Sequence, residues 1–555
     1  MIQEYLHAIF TYNEEQPLIF TRFAFWAFFL VVLIFYSVLG KSKNKTVRCG
    51  YLFLASLFFY YKSSGFFFFI LIFSTLADFF IGRGIYRSKK PLAKQLLVGL
   101  SIFVNLGLLS YFKYAYFFVE SFNNFIGTQY QVVNHLALIA NTTTGTRFDV
   151  GAILLPVGIS FFTFQTISYS MDVYRGLVKP VNNLIDFGFY VSFFPQLVAG
   201  PIVRAADFIP QLYKDFSLTK AEFGLAVWMI LKGLIKKILI GDYIAVNFID
   251  RVFSNHLSYT GFENLMSLYG YSLQVYCDFS GYTDIAIGVA LLMGFRLPKN
   301  FNSPYKAKNT GEFWQRWHIS LSSWLKDYLY IPMGGNRRGS LFTWISLSAI
   351  LLFVIMISGE LLLIPIMAGS FSIIWLLTRL IPSLKKHITT NINILLTMLL
   401  GGLWHGASWM FVIWGGLNGL GVIFYKYWRR ISPWEKANHG LATVWKIFLT
   451  FNFITFTRIW FRGESMEGTY ELMHQIANDF QWGLIPDILV GYKNVFLMML
   501  FGFILHWWPS RLKEKYQQWF IRTPMWAKVV ISCVVVFIIY QSISADMQPF
   551  IYFQF

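Results

Sequence analysis

Two of the chain's nine histidines have neighbours that could do chemistry. His405 stands in Gly401-Gly-Leu-Trp-His-Gly-Ala-Ser-Trp, inside an otherwise apolar run. An ionisable group there is costly against lipid and more often lines a polar path. A neutral imidazole can take the proton of a hydroxyl as its oxygen attacks an acyl carbon. Gly406 lets a backbone or a substrate come close, and Trp404 supplies a bulky wall. The same residues would suit a histidine that only bonds a neighbouring helix's carbonyl, so residue chemistry leaves both roles open.

His318 lies in Glu312-Phe-Trp-Gln-Arg-Trp-His-Ile-Ser-Leu-Ser-Ser-Trp-Leu-Lys-Asp. Positions 318, 322 and 326 fall one helical turn apart. With Arg316, Ser320, Ser322 and Asp327 they predict an amphipathic helix at the interface or along a cavity wall. His318 could orient a substrate, hold a water or share proton transfer with His405. The alternative is an interfacial helix with tryptophan anchors and snorkelling cations. The two histidines are 87 residues apart, so only folding can unite them.

A third concentration is Cys277-Asp278-Phe-Ser-Gly-Tyr-Thr-Asp284. Asp278 and Asp284 would be expensive facing lipid, which predicts pairing with Lys, Arg or backbone groups inside the protein. Proton relay and substrate contact are the other readings. Downstream, Pro332-Met-Gly-Gly-Asn-Arg-Arg-Gly sets Arg337 and Arg338 beside flexible glycines, a candidate contact for a cofactor's phosphates. It would serve equally as a basic cytoplasmic turn. No Walker A, GxGxxG or HExxH pattern occurs, and the three cysteines have no CxxC spacing, so no metal site is expected.

The elements that must position these groups are membrane helices. Of the 555 residues 56% are hydrophobic and only 13% charged, above the roughly 45–50% apolar share of soluble proteins. Apolar runs at Phe23–Gly40, Phe66–Gly82, Leu96–Phe112, Leu341–Ile366, Val495–Trp508 and Val529–Tyr540 approach or reach bilayer-spanning length. The net charge of +19 lies in clusters between apolar segments, such as Lys41–Arg48 and Arg83–Lys90. This distribution reads as cytoplasmic loops and contact with anionic lipid, not nucleic-acid binding. It predicts an extracytoplasmic N-terminus and a hairpin turning at Lys62–Gly65, whose first arm, Tyr51–Tyr61, is short. Glu120–Asp149 reads as an exposed external loop. From Gly151 onward prolines and carboxylates interrupt the apolar segments, and broken helices survive in a membrane only where protein or a wet cavity satisfies them. Lys232, Lys236 and Lys237 are expected near the cytoplasmic end of an amphipathic or tilted helix. The Gly-rich stretch Asn391–Tyr427 predicts two short helices, or a helix plus a re-entrant piece. The expected architecture is all-α and polytopic, with about 10–13 spanning or re-entrant helices.

Taken in order, several segments resemble the membrane-bound O-acyltransferase (MBOAT) family. They are Ser160-Phe-Phe-Thr-Phe-Gln-Thr-Ile-Ser-Tyr, Met171-Asp-Val-Tyr-Arg-Gly, Phe194-Pro-Gln-Leu-Val-Ala-Gly-Pro-Ile, Asp278-Phe-Ser-Gly-Tyr-Thr-Asp, the His318 segment through Gly335, and Leu403-Trp-His-Gly. The likeness is greater to the alginate O-acetylation (AlgI-like) branch than to the D-alanyl transfer (DltB-like) branch, notably at Pro195–Pro201 and Asn300–Tyr305. Gln315 and Lys326 stand where the family often has arginine.

The resemblance implies an MBOAT-like helical core of tilted, broken and re-entrant helices around a central tunnel. One integrated membrane domain would divide into N-terminal helices and external loop (1–150), catalytic core (151–430) and C-terminal helices (431–555). It further implies His405 as the principal catalytic residue, with His318 beside it. The implied donor is acetyl-CoA or another acyl thioester, with no tightly bound cofactor. The implied acceptor is a hydroxyl of an extracytoplasmic polysaccharide or cell-wall glycan, reached directly or through an SGNH-type acetyltransferase. The implied location is the bacterial inner membrane. D-alanyl transfer from a carrier protein and non-enzymatic polysaccharide transport are the alternatives.

Overall fold

Phe25, Phe29, Val32 and Tyr36 recur at helical spacing, and these are the buried residues of helix Phe23–Leu39. The opposite face of that helix, Leu30, Val31, Ile34, Phe35 and Val38, is exposed and apolar, and its one serine, Ser37, turns its hydroxyl back onto Ile34 O. An apolar outer face is what a helix bathed in lipid requires. The computed structural model describes residues 9–40, 42, 44–198, 200–337, 339–358, 362–437 and 439–542. All regular structure among them is helical, with 3₁₀ and π turns set between α-helices. The chain is a multi-pass membrane protein.

Five described helices are long and apolar enough to cross a bilayer, and a sixth span results if the pair Trp482–Gly491 and Lys493–Trp507, bent by 86°, counts as one. Shorter apolar helices, Phe23–Leu39, Leu341–Leu352 and Ile364–Ile374, stand beside these. The continuous run Lys45–Arg87 has 43 residues, about 65 Å of helix and twice the hydrocarbon thickness. At Gly65 the backbone leaves helical geometry with φ 61° and ψ −142°. Both ends of the run reach one loop. Asn183 Nδ2 donates to Thr46 Oγ1 at 3.3 Å, while Val181 N–H donates to the hydroxyl of Tyr169, whose ring abuts Gly82. The run is therefore a hairpin, and its first arm is the full helix Lys45–Ser64 rather than a short segment.

Two further expectations change. Glu120–Asp149 is not simply a loop: helix Ala115–Ile126 extends into it, and it contains helix His135–Thr144, started by the Asn134 side chain accepting from Ala137 N–H. Lys232 lies in the last turn of helix Lys220–Leu234, as expected of an amphipathic or tilted helix, but Lys236 and Lys237 do not close it. Helix Lys220–Leu234 continues into the π-helical turn Ile235–Asp242, which carries Lys237 into the interior.

The central element is helix Gly261–Leu292, which is almost wholly buried inside the protein. It packs backbone to backbone against Lys220–Leu234. A Cβ added at Gly281 would sit 2.8 Å from the Gly233 carbonyl oxygen, and one at Gly288 would sit 2.7 Å from that of Ala226. Small residues give membrane helices this closeness where lipid offers no hydrophobic drive.

Candidate functional site

The predicted division of Asn391–Tyr427 is a helical hairpin, Pro382–His405 followed by Trp409–Ile431. Its arms touch at glycines: a Cβ on Gly402 would lie 2.3 Å from the Phe411 carbonyl oxygen, and one on Gly415 2.3 Å from that of Met398. His405 is the last helical residue. Gly406 is extended, and any Cβ there would collide with the Phe411 ring at 2.0 Å. His405 is the twenty-fourth residue of this helix, which carries the imidazole about 35 Å along the axis from Pro382.

A helix that stops inside a protein leaves its last carbonyls without intrahelical donors. Here the π-helical turn Ser110–Tyr114 supplies them. Tyr114 donates its hydroxyl to Leu403 O at 2.8 Å, and Lys113 Nζ donates to Trp404 O at 2.7 Å and His405 O at 3.0 Å. The ammonium also complements the negative end of the helix dipole. Lys113 and Trp404 line a cavity of about 40 Å³ with Pro156, Gly158, Ser160 and Phe161, room for water rather than for a thioester arm. The His405 ring is held edge-on by Trp404 and Trp414, each at 5.0 Å between centroids, and by Phe461 at 5.6 Å.

His318 does not sit within a continuous amphipathic helix. Helix Thr310–Arg316 ends before it, and His318 takes the left-handed conformation, φ 43° and ψ 56°, immediately ahead of helix Ile319–Trp324. Leu325–Tyr330 then runs as a π-helical turn. The kink turns His318 inward to complete burial. Asn300 braces it: its Oδ1 lies 3.3 Å from His318 Nδ1 and accepts from Ser320 N–H and Oγ at 3.1 and 2.9 Å. The His318 ring meets Phe279 at 4.6 Å and Trp404 at 5.9 Å. Trp404 thus contacts both histidines, and folding closes the 87-residue gap across one indole. Behind it Phe164 lies between Trp404, at 5.4 Å, and Trp324, stacked at 3.8 Å.

Asp278 and Asp284 occupy the same central helix as Phe279 but face away from the histidines. Asp278 pairs with Lys237 at 2.5 Å, which also reaches Asp242 at 2.7 Å. Asp284 pairs with Lys236 at 2.8 Å and Lys232 at 3.2 Å. Arg316 is bound to Glu312 at 2.7 Å and to the Asn302 carbonyl at 3.1 Å, and Ser322 Oγ donates to Trp317 O at 3.3 Å across the kink. Arg337 is exposed in a turn closed by its N–H on Gly334 O, and Arg338 falls outside the described residues. No group of three or more His, Cys, Asp or Glu among the described residues is arranged to hold a metal.

Three residues were not singled out from sequence. Lys113 follows a long apolar run and reads as its cytoplasmic or external flank. Asn300 enters only within the Asn300–Tyr305 stretch. Arg458 is hidden in the apolar run Leu441–Trp460, yet it is buried, stacks over Trp317 at 4.8 Å and lies 5.8 Å from the Phe461 ring that abuts His405. The detectable signal was a lone cation inside a span.

The model of the membrane-bound O-acyltransferase family matches residues 92–357, which include His318 and stop before His405. The chain is 29% identical to a "Peptidoglycan O-acetyltransferase" of Helicobacter pylori over 577 residues, covering 96% of both proteins. It is 35% identical to a "Probable alginate O-acetylase AlgI" of Azotobacter vinelandii, over 74% of this chain and 68% of that protein. A "Teichoic acid D-alanyltransferase" of Bacillus subtilis is 30% identical over 56% of this chain and 69% of its own length. The buried histidine pair, the broken helices that carry it and these likenesses agree, and the chain belongs to the membrane-bound O-acyltransferase family.

Proposed function

We propose that this chain moves an acetyl group from a cytoplasmic thioester, acetyl-CoA or an equivalent carrier, to a hydroxyl on an extracytoplasmic glycan, with peptidoglycan as that glycan. The observation that carries the chemistry is His405, buried at a helix break and sharing Trp404 with His318. What favours peptidoglycan over alginate is similarity along 96% of the chain to the Helicobacter protein, against 74% for the Azotobacter one.

In this reading the acceptor oxygen attacks the thioester carbonyl carbon while His405 takes the hydroxyl proton. The new C–O bond forms, the adduct collapses with cleavage of C–S, and the imidazolium returns the proton to the departing thiolate. The ring contacts around His405 fix its plane, so little reorganisation is needed at the moment of attack. His318, braced by Asn300, positions the reactants or assists proton return. A separate SGNH-type acetyltransferase outside the membrane relays the group where the glycan cannot reach the site itself.

The test compares peptidoglycan from cells carrying the natural chain, no chain, or His405→Ala. Acetate released by mild base is expected to fall to background in the last two while the variant still accumulates in membranes. Loss of ester-linked D-alanine instead would transfer the reading to D-alanylation. Full acetylation with His405→Ala would overturn it. Release of free thiol that depends on the acceptor separates an acyltransferase from a transporter, which consumes no thioester.

A further inference from the structure

Arg458 and Arg462 stand one turn apart on helix Gly440–Arg462, and their surroundings differ. Arg462 faces Asp250 and Glu464, each at 3.7 Å. Arg458 has no ion pair with a carboxylate among the described residues. It is 2% exposed, and its buried Nε finds no hydrogen-bond acceptor among them. Nη2 reaches the Tyr305 hydroxyl at 3.3 Å, an oxygen that itself donates to Ser272 O. The guanidinium is otherwise held by aromatic faces, Trp317 at 4.8 Å and Phe461 at 5.8 Å. A buried cation in a spanning helix, without a counter-charge, is a costly arrangement that usually marks function.

Its location supplies the function. Trp317 immediately precedes His318, and Phe461 packs on the His405 ring at 5.6 Å, so Arg458 is one aromatic ring removed from His405 and touches the residue next to His318. The other nearby cations are committed: Lys113 to the helix-end carbonyls, Lys236 and Lys237 to carboxylates. Acyl transfer puts negative charge on the thioester carbonyl oxygen when the hydroxyl attacks; as the C–S bond breaks, that electron pair re-forms the C=O bond and the charge leaves on the thiolate sulfur, which takes the proton back from the His405 imidazolium. Preorganised donors aimed at such an oxygen in a site without bulk water are worth most in catalysis.

We propose that Arg458 is a catalytic residue whose spare N–H groups bind the thioester carbonyl oxygen and stabilise its developing charge. This rests on the acyl-transfer reading above. Arg458→Met removes the charge at similar volume, and Arg458→Lys keeps a charge without the planar fork. In cells lacking their own copy, envelope acetate esters are expected near background with Arg458→Met and partly restored with Arg458→Lys. Inverted membrane vesicles from these strains, given radiolabelled acetyl-CoA, are expected to show kcat lowered about 10²–10³-fold with KM changed far less. The Met variant should unfold at the same temperature as the natural protein or higher, since an apolar residue relieves a buried charge. Failure of Arg458→Met to accumulate, or a lowered unfolding temperature, would make the arginine structural and overturn the proposal. Full ester content with Arg458→Met while His405→Ala is inactive would also overturn it and leave the His405 reading standing. Activity in His405→Ala would remove both. The cellular ester content decides the matter if vesicles take no label from acetyl-CoA.

Discussion

The two faces of helix Gly261–Leu292 solve the same problem in opposite ways. On one face Asp278 and Asp284 are matched by three lysines at 2.5–3.2 Å, so each buried charge has its opposite in contact. On the other, Phe279 presses on His318, and the polar groups beyond it lie mainly among aromatic rings: His318 against Phe279 and Trp404 with Asn300 bracing it, His405 among Trp404, Trp414 and Phe461, and Arg458 over Trp317 with one bond to the Tyr305 hydroxyl. Matched charges lock an interior and leave little to offer a substrate. Polar groups caged by apolar rings keep their chemistry available. In the function proposed above, the lysine–aspartate face is architecture and the aromatic face is the working side.

Substitutions on each face can break this contrast. The largest effect is expected from His405→Ala, which should cut transfer about 10²–10⁴-fold without altering membrane yield. A comparable loss of yield would return His405 to an architectural role. Next is Lys237→Met, which strands two carboxylates and should cost about 3–5 kcal/mol of stability, read by thermal unfolding in detergent. A change near zero would mean that the ion pairs do not hold the core. His318→Ala should leave folding intact and slow transfer by up to about 10²-fold; unchanged kinetics would remove it from the site. The smallest is Gly415→Ala, whose Cβ meets the Met398 carbonyl oxygen at 2.3 Å and should cost about 1–3 kcal/mol by overpacking. An unshifted unfolding temperature would show that the hairpin arms part easily.

Much of this was legible residue by residue. Long apolar runs announced membrane helices because lipid cannot satisfy a bare backbone. The glycines of Gly401-Gly402 and Gly415-Gly416 announced a closely packed break, and the carboxylates of Asp278 and Asp284 announced internal partners. The short first arm, the simple loop at Glu120–Asp149 and the continuous amphipathic helix through His318 differ from the structure at their helix ends. Those ends depend on single residues, Asn44 and Asn134 as caps and His318 at positive φ, which periodicity does not register.

By itself the amino-acid order determined that the chain lies in a membrane, that its charged residues must either pair or work, and that His318 and His405 were the groups to watch. Only the tertiary structure decided which of the charged residues meet an opposite charge. It set Trp404 between histidines 87 residues apart, gave the aspartates to the lysines, and left Arg458 among aromatic rings. The physical reason is that burial and counter-charge belong to neighbours in space, and in this chain those neighbours come from helices far apart in sequence.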